Sequence, residues 1–281
     1  MIVTRLSLIV RPVAVAAVLV LGVAACTPNG ATVDTGPVID RFTGSEANIT
    51  SLTEVIRLSP SDPLAYNMRG AAYAKAGNLT AALGDFNMAI QLNPNYAQAF
   101  ANRGLVHRTA RRYPEALRDY GRAIEINPAY DLAYIGRGNV NRDMNNIPAA
   151  MQDFASAIRL APGDPTAYHN RGVIYQRQGN HQFAIQDFTA AIERNASEPG
   201  PFVGRATSYL ATNFAKGALE DLDLALNYDN RNADAWFKRG LACEQLQQID
   251  EAKRSYQASL RLEPQNQAAR DALIRLGVQP N

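Results

Sequence analysis

From Pro63 to Asn266 the chain is six blocks of 34 residues that follow one another without an insertion or a deletion. A period of this length constrains the fold more than any other property. Each block must be one supersecondary unit that buries its apolar face against its neighbours. The eighth position is Gly70, Gly104, Gly138, Gly172, Ala206 and Gly240, and the twentieth is Ala82, Ala116, Ala150, Ala184, Ala218 and Ala252. The twenty-fourth is Phe86, Tyr120, Phe154, Phe188, Leu222 and Tyr256, and the fourth is always aromatic: Tyr66, Phe100, Tyr134, Tyr168, Phe202 and Trp236. Small residues at eight and twenty let two helices approach, the twenty-fourth fills the gap beside them, and the fourth is expected to supply large buried area. Pro94, Pro128, Pro162 and Pro264 follow second helices, where a residue without an N–H cannot continue them. Pro114 and Pro148 open second helices, where a φ of about −65° is already helical.

This length and signature resemble the tetratricopeptide repeat (TPR) family over residues 63–266. The resemblance implies an all-α solenoid of six helix-turn-helix repeats, at 63–96, 97–130, 131–164, 165–198, 199–232 and 233–266. Before them, 43–62 reads as the second half of a truncated repeat, since Pro60 falls 34 residues before Pro94. Thr43-Gly44-Ser45-Glu46 has the pattern of a capping box, and Ile49, Leu52, Val55, Ile56 and Leu58 form an apolar face. After them, 267–281 holds a short helix with Ala268, Ala269, Ala272, Leu273 and Leu276 on one side, then a tail. Both ends read as caps on an open stack, and a terminal helix offers a surface for homodimerisation.

The first 25 residues carry a different message. Arg5 and Arg11 precede an apolar run from Val13 to Leu21, too short for a bilayer span of about 20 residues but suited to a secretory signal. Val23-Ala24-Ala25-Cys26 resembles the bacterial lipobox, with Val where Leu is commonest. That resemblance implies removal of 1–25 and lipidation of Cys26, giving a durable anchor. Thr27 stands where enteric bacteria place Asp to retain a lipoprotein in the inner membrane, so an outer-membrane, periplasm-facing location is expected. The rest of 26–42 is rich in Gly, Pro, Thr and Asn without helical period and reads as a tether. Its reach is about 20–25 Å. The chain is formally +2, but 1–25 holds two arginines and no acid. The processed chain is therefore close to neutral, and net charge gives no argument for nucleic acid.

Catalytic and metal signatures are missing from the sequence. His107, His169 and His181 occupy different repeat positions, with no spacing suited to zinc. There is no nucleophile elbow, phosphate loop or dinucleotide fingerprint. Cys243 falls at a core position, where a lone thiol acts as a small hydrophobe. No cofactor, metal or enzymatic activity is expected. The fifth block departs from the pattern (Ala206, Leu222, Asn230) and is entered through Asn195-Ala196-Ser197-Glu198-Pro199-Gly200-Pro201, where a slight hinge is expected.

A charged ladder repeats in phase. Position seven is Arg69, Arg103, Arg137, Arg171, Arg205 and Arg239; position twenty-three is Asp85, Asp119, Asp153, Asp187 and Asp221, then Ser255. The arginines either read a ligand or pair with the aspartates of a neighbouring helix. The common phase, and the fit of a guanidinium fork to a carboxylate, favour pairing. Function is sought on the concave face, which in TPR proteins is lined by first-helix positions two, five, six, nine, twelve and thirteen. Carried onto this chain, those positions give a partner-binding groove with Asn67, Asn102, Arg108, Asn139, Arg142, His169, Asn170 and Arg177, suited to hydrogen bonding a peptide. The carboxylate clamp of chaperone-binding TPR domains is matched only by Asn102 and Asn170; Asn67, Ala71, Leu132 and Gly136 replace its other members, so that specificity is not expected.

The layout of anchor, tether and solenoid is similar to outer-membrane TPR lipoproteins of the new lipoprotein I type. That resemblance implies an adaptor for periplasmic peptidoglycan hydrolases or a protease. A second resemblance is to pilotin-like and tight-adherence lipoproteins, which implies a secretin or pilus component as partner.

Overall fold

The computed structural model describes residues 44–279. The expected signal segment, Cys26, the tether and Thr43 lie outside them. All regular elements among the described residues are helices, fourteen in number. Helix α1 (Glu46–Leu58) comes first. Six antiparallel pairs follow: α2 (Pro63–Lys75) with α3 (Leu79–Leu92), α4 (Ala97–Thr109) with α5 (Tyr113–Ile126), α6 (Asp131–Asp143) with α7 (Ile147–Leu160), α8 (Pro165–Arg177) with α9 (His181–Arg194), α10 (Pro199–Ala211) with α11 (Ala215–Tyr228), and α12 (Ala233–Gln245) with α13 (Ile249–Leu262). Helix α14 (Gln267–Arg275) closes the series. No helix among the described residues is long and apolar enough to cross a membrane.

Local chemistry sets the boundaries of each pair. Asp62, Asp164 and Asn232 cap α2, α8 and α12 by accepting from the amides of Leu64, Thr166 and Ala235 at 2.9, 2.7 and 2.9 Å. The turn inside every block has the same device. Position fifteen adopts a left-handed φ in all six, as Gly77, Arg111, Asn145, Gly179, Asn213 and Gln247. The next amide then reaches back to the carbonyl of position eleven, as in Asn78 N to Tyr73 O at 2.9 Å and Arg112 N to His107 O at 2.8 Å. This closes the helix as a Schellman cap. Glycine meets that conformation at only two of the six positions, so Arg111 and Gln247 hold it at a cost.

Packing is closest within a pair. The side chain at twenty-four is buried in every block, and Phe86, Phe154, Phe188, Leu222 and Tyr256 have no exposed surface. The small residue at eight makes room for it: a Cβ on Gly138 would lie 2.8 Å from Cε1 of Phe154. Position four behaves differently from the expectation. Phe100 and Phe202 are buried, but Tyr66, Tyr134, Tyr168 and Trp236 are only partly so. Each of the six rings instead carries the guanidinium of position seven, one turn along the same helix. Centroid distances run from 5.4 Å at Arg103–Phe100 to 6.0 Å at Arg205–Phe202.

Four expectations about the ends and seams need correction. Helix α1 starts after Ser45, whose Oγ accepts from the Asn48 amide at 3.3 Å, so the cap falls at Ser45 and not at Thr43. Leu52 and Ile56 are buried but Val55 and Leu58 are exposed, because among the described residues the helix has a neighbour on one side only. On α14, Ala269, Ala272 and Leu273 are buried while Ala268 faces water. The hinge expected before the fifth block is not seen as loose packing. Helix α10 meets α9 more extensively than second helices meet the next first helix elsewhere. Gly204 lies on the Phe188 ring, where a Cβ would stand 2.6 Å from Cζ. Gln176 crosses the same seam, donating to Gly204 O at 2.6 Å and Ser208 Oγ at 2.8 Å.

Candidate peptide-binding face

The arginine ladder is interior. Arg69, Arg103, Arg137, Arg171 and Arg205 each grip the aspartate of the same block with both oxygens engaged, at closest approaches of 2.8, 2.6, 2.7, 2.7 and 2.7 Å. All five aspartates are buried. Bonding to Asp85, Asp187 and Asp221 pushes Arg69, Arg171 and Arg205 above the ordinary arginine range. Position eleven walls the pair: Asn141 donates to Asp153 at 3.0 Å and His107 Nε2 stands 3.8 Å from Asp119. The free arm of several arginines crosses to position twenty-five of the preceding second helix, reaching Thr53, Asn87 and Thr189 at 3.1, 2.7 and 3.0 Å. In the last block the charges trade places. Arg239 bonds Ser255 at 2.8 Å and takes its carboxylate from Asp223 of the preceding block at 2.6 Å.

The eight side chains assigned to the groove divide into two groups. Asn67, Asn102 and Asn170 are buried and bonded internally. Asn102 Nδ2 donates to Asn67 Oδ1 at 3.0 Å, and Asn67 Nδ2 to the Tyr96 hydroxyl at 3.3 Å. Asn170 Nδ2 donates to Thr166 O at 3.0 Å. These amides sit where consecutive first helices meet, so they stitch blocks together instead of facing outward. Gly136, at the same register as Asn102, has no room for any side chain because the Tyr120 ring covers it.

Arg108, Asn139, Arg142, His169 and Arg177 form the second group, and the sequence did not show how closely they are linked. Arg108 Nε donates to Asp143 Oδ2 at 2.7 Å across two blocks. Arg142 Nη1 donates to Asn170 Oδ1 at 2.6 Å, and its Nη2 lies 3.7 Å from Asp143. Burial lowers the Arg142 pKa, and Arg108 and Arg177 lower it further against the pull of Asp143. His169 packs on Phe188 with ring centroids 5.6 Å apart. Burial, then the charge of Arg142, lower its pKa, so the ring is neutral at pH 7. Asn139 Oδ1 and His169 Nδ1 are buried without a hydrogen-bond partner among the described residues. Buried polar atoms usually have one. Arg177 faces water.

The model "Tetratricopeptide repeat" matches residues 63–96, 97–130 and 165–197, a second model of that description matches 233–266, and "TPR repeat" matches 138–179. Together they cover more than half of the sequence. The chain belongs to the tetratricopeptide repeat family. None of these TPR matches includes 199–232, the block that departs most from the pattern. No curated protein matches the chain. Three solved structures are similar to it. A chain of the APC/C hetero-tetramer Cut9–Hcn1 is 17% identical with a TM-score of 0.72, over 83% of this chain and 46% of that one. Thus this TPR chain spans less than half the length of that relative. Pseudomonas aeruginosa pilF is 19% identical with a TM-score of 0.70, over 76% of this chain and 97% of that one. YrrB, described as a TPR protein with an unusual peptide-binding site, is 20% identical with a TM-score of 0.55, over 66% of this chain and 96% of that one. These likenesses show the fold. The TPR fold is a scaffold for protein interaction, and TPR proteins bind protein or peptide partners through it.

Among the described residues no cluster of His, Cys, Asp and Glu is arranged to hold a metal ion. Cys243 is buried beside Arg239, and burial raises its pKa. Its thiol is a packing group.

Proposed function

We propose that this protein is a membrane-anchored periplasmic adaptor that holds protein partners in its concave face and organises cell-envelope complexes. The partners are peptidoglycan hydrolases or a protease, and the anchor is lipid on Cys26 in the outer membrane. One observation carries the adaptor reading. The interior positions repeat from block to block, while the concave positions differ. A surface freed from the repeat is where a TPR scaffold accommodates a particular partner. No catalytic constellation accompanies it, so the protein is read as a binding module and not an enzyme. The location rests on the signal-like segment and lipobox-like residues, not on the helices.

Photocrosslinking tests this reading. A photoreactive residue is placed at Leu105, Val173 or Leu241, which share position nine of the first helices, or at exposed Arg118 as an outer-face control. Crosslinks to wall hydrolases or a protease from the first three sites alone support the adaptor. A crosslinked secretin, with assembly abolished by Cys26→Ala, favours the pilotin-like alternative. Equal crosslinking from Arg118 rejects the concave face as the site.

A further inference from the structure

Resting on the adaptor reading, we infer that the partner segment is acidic, and that its carboxylates dock along a rail of arginines at the C-terminal rim of α4, α6 and α8. Arg108, Arg142 and Arg177 occupy the last turns of three successive first helices. Arg111 lies beside them in the turn after α4. Together with Arg108, Thr109, Tyr113 and Asp143 it lines an open depression. Four guanidinium groups thus gather at one rim, where Asp143 already holds Arg108 at 2.7 Å. Among the described residues no acidic group pairs with Arg177 or Arg111.

Two accounts of this placement compete. Cations near helix C-termini complement the helix dipole, which explains why arginines are tolerated there. It does not explain why Arg142 is kept mostly out of water, with 16% of its side chain exposed, between two other arginines and with an amide as its closest partner. A group in that position gains from a carboxylate supplied from outside. Charge-assisted bonds from arginine are short, directional and strong. None of these arginines occupies a position of the carboxylate clamp, so the mode is distinct from chaperone-peptide recognition.

The geometry also gives a spacing. Packed helices stand about 8–10 Å apart, and a polyproline II chain advances about 3.1 Å per residue with about three residues per turn. Successive first helices are therefore met by every third residue of a peptide in that conformation, and acidic residues at that interval lie on one side of it and would reach the arginines in turn.

Fluorescence anisotropy tests the inference with the full chain and a labelled peptide bearing Glu at every third position among serines. The same peptide with Gln for Glu, and one with its glutamates contiguous, serve as comparisons. The spaced Glu peptide should bind about tenfold more tightly than the Gln peptide. It should also bind more tightly than the contiguous one. Arg177→Gln, at an exposed position where folding is not at stake, should weaken binding severalfold, and Arg142→Gln with Arg177→Gln about tenfold. Asp143→Asn should tighten it. Arg118→Gln with Arg122→Gln, on the outer face, should change nothing beyond a small general charge effect. Equal binding of Glu and Gln peptides, or equal losses from inner and outer pairs, would overturn the acidic rail. Position-nine crosslinks to an envelope partner would then still uphold the adaptor. Conversely, acidic peptide binding without any such crosslink would leave the rail standing and remove the adaptor.

Discussion

Arginine at position seven and arginine at positions twelve and thirteen lie on the same helices yet have opposite circumstances. Each seven finds a carboxylate within 2.8 Å, is stacked against an aromatic ring, and repeats in phase six times. Arg108 and Arg142 share a single aspartate, Arg177 pairs with no acid among the described residues, and the three belong to three blocks only. The contrast teaches how to read charge in a repeat protein. A charge that repeats with its partner specifies how helices dock, and a charge that escapes the repeat is available to something outside the chain.

The comparison can be broken from the inside first. Phe154→Ala empties the gap against Gly138 and should cost about 3–5 kcal/mol in chemical denaturation. A value below 1 would mean the blocks do not depend on position twenty-four. Asp153→Ala should come next. It strands Arg137 and removes the acceptor of Asn141, at about 2–3 kcal/mol, short of a fully buried pair because Arg137 keeps 32% of its side-chain surface. At the rim, Asp143→Asn should cost less than about 1 kcal/mol. Equal penalties at 153 and 143 would erase the distinction between interior and rim.

Histidine sharpens the same contrast through pH. Burial lowers the pKa of both His107 and His169 in the folded state, so the unfolded chain binds protons more readily. Their contribution is fully present above the unfolded value of about 6.5 and is lost as pH falls below it. The melting temperature should therefore drop between pH 7.5 and 5.5. Asp119 offsets the effect at His107, whereas Arg142 adds to it at His169. His169→Gln should remove more of the slope than His107→Gln, and the reverse order would contradict the electrostatics of the rim. The smallest effect concerns the turns. Arg111→Gly and Gln247→Gly relieve left-handed backbone at 57° and 61° and should each raise stability by up to about 1 kcal/mol. At Arg111 the same change also deletes a rail cation, so it should weaken acidic-peptide binding while Gln247→Gly does not.

Much of the architecture was legible because it is periodic. Positions eight, twenty and twenty-four announce close helix pairs, and the common phase of arginine and aspartate indicates an ion pair. The exchange in the last block was only half visible: Ser255 leaves Arg239 without the expected aspartate, but Asp223 as its replacement emerges from the fold. The left-handed residue at fifteen was harder to find, since only Gly77 and Gly179 advertise it, with Asn145 and Asn213 as weaker signs. The concave face was legible as a set of positions and not as a surface. Asn67, Asn102 and Asn170 fit the pattern of a polar groove, yet each spends its hydrogen bonds within the stack.

The sequence by itself determined the repeat, its helix pairs and the partners of its interior charges, because those features recur at fixed spacing and every copy reports on the others. Tertiary structure alone decided which concave side chains are exposed, which arginines share Asp143, and which polar atoms are left over. Those properties depend on how consecutive first helices approach. That approach is set by single, unrepeated residues such as Gly136 and Gly204, whose neighbours become apparent only when the chain is folded.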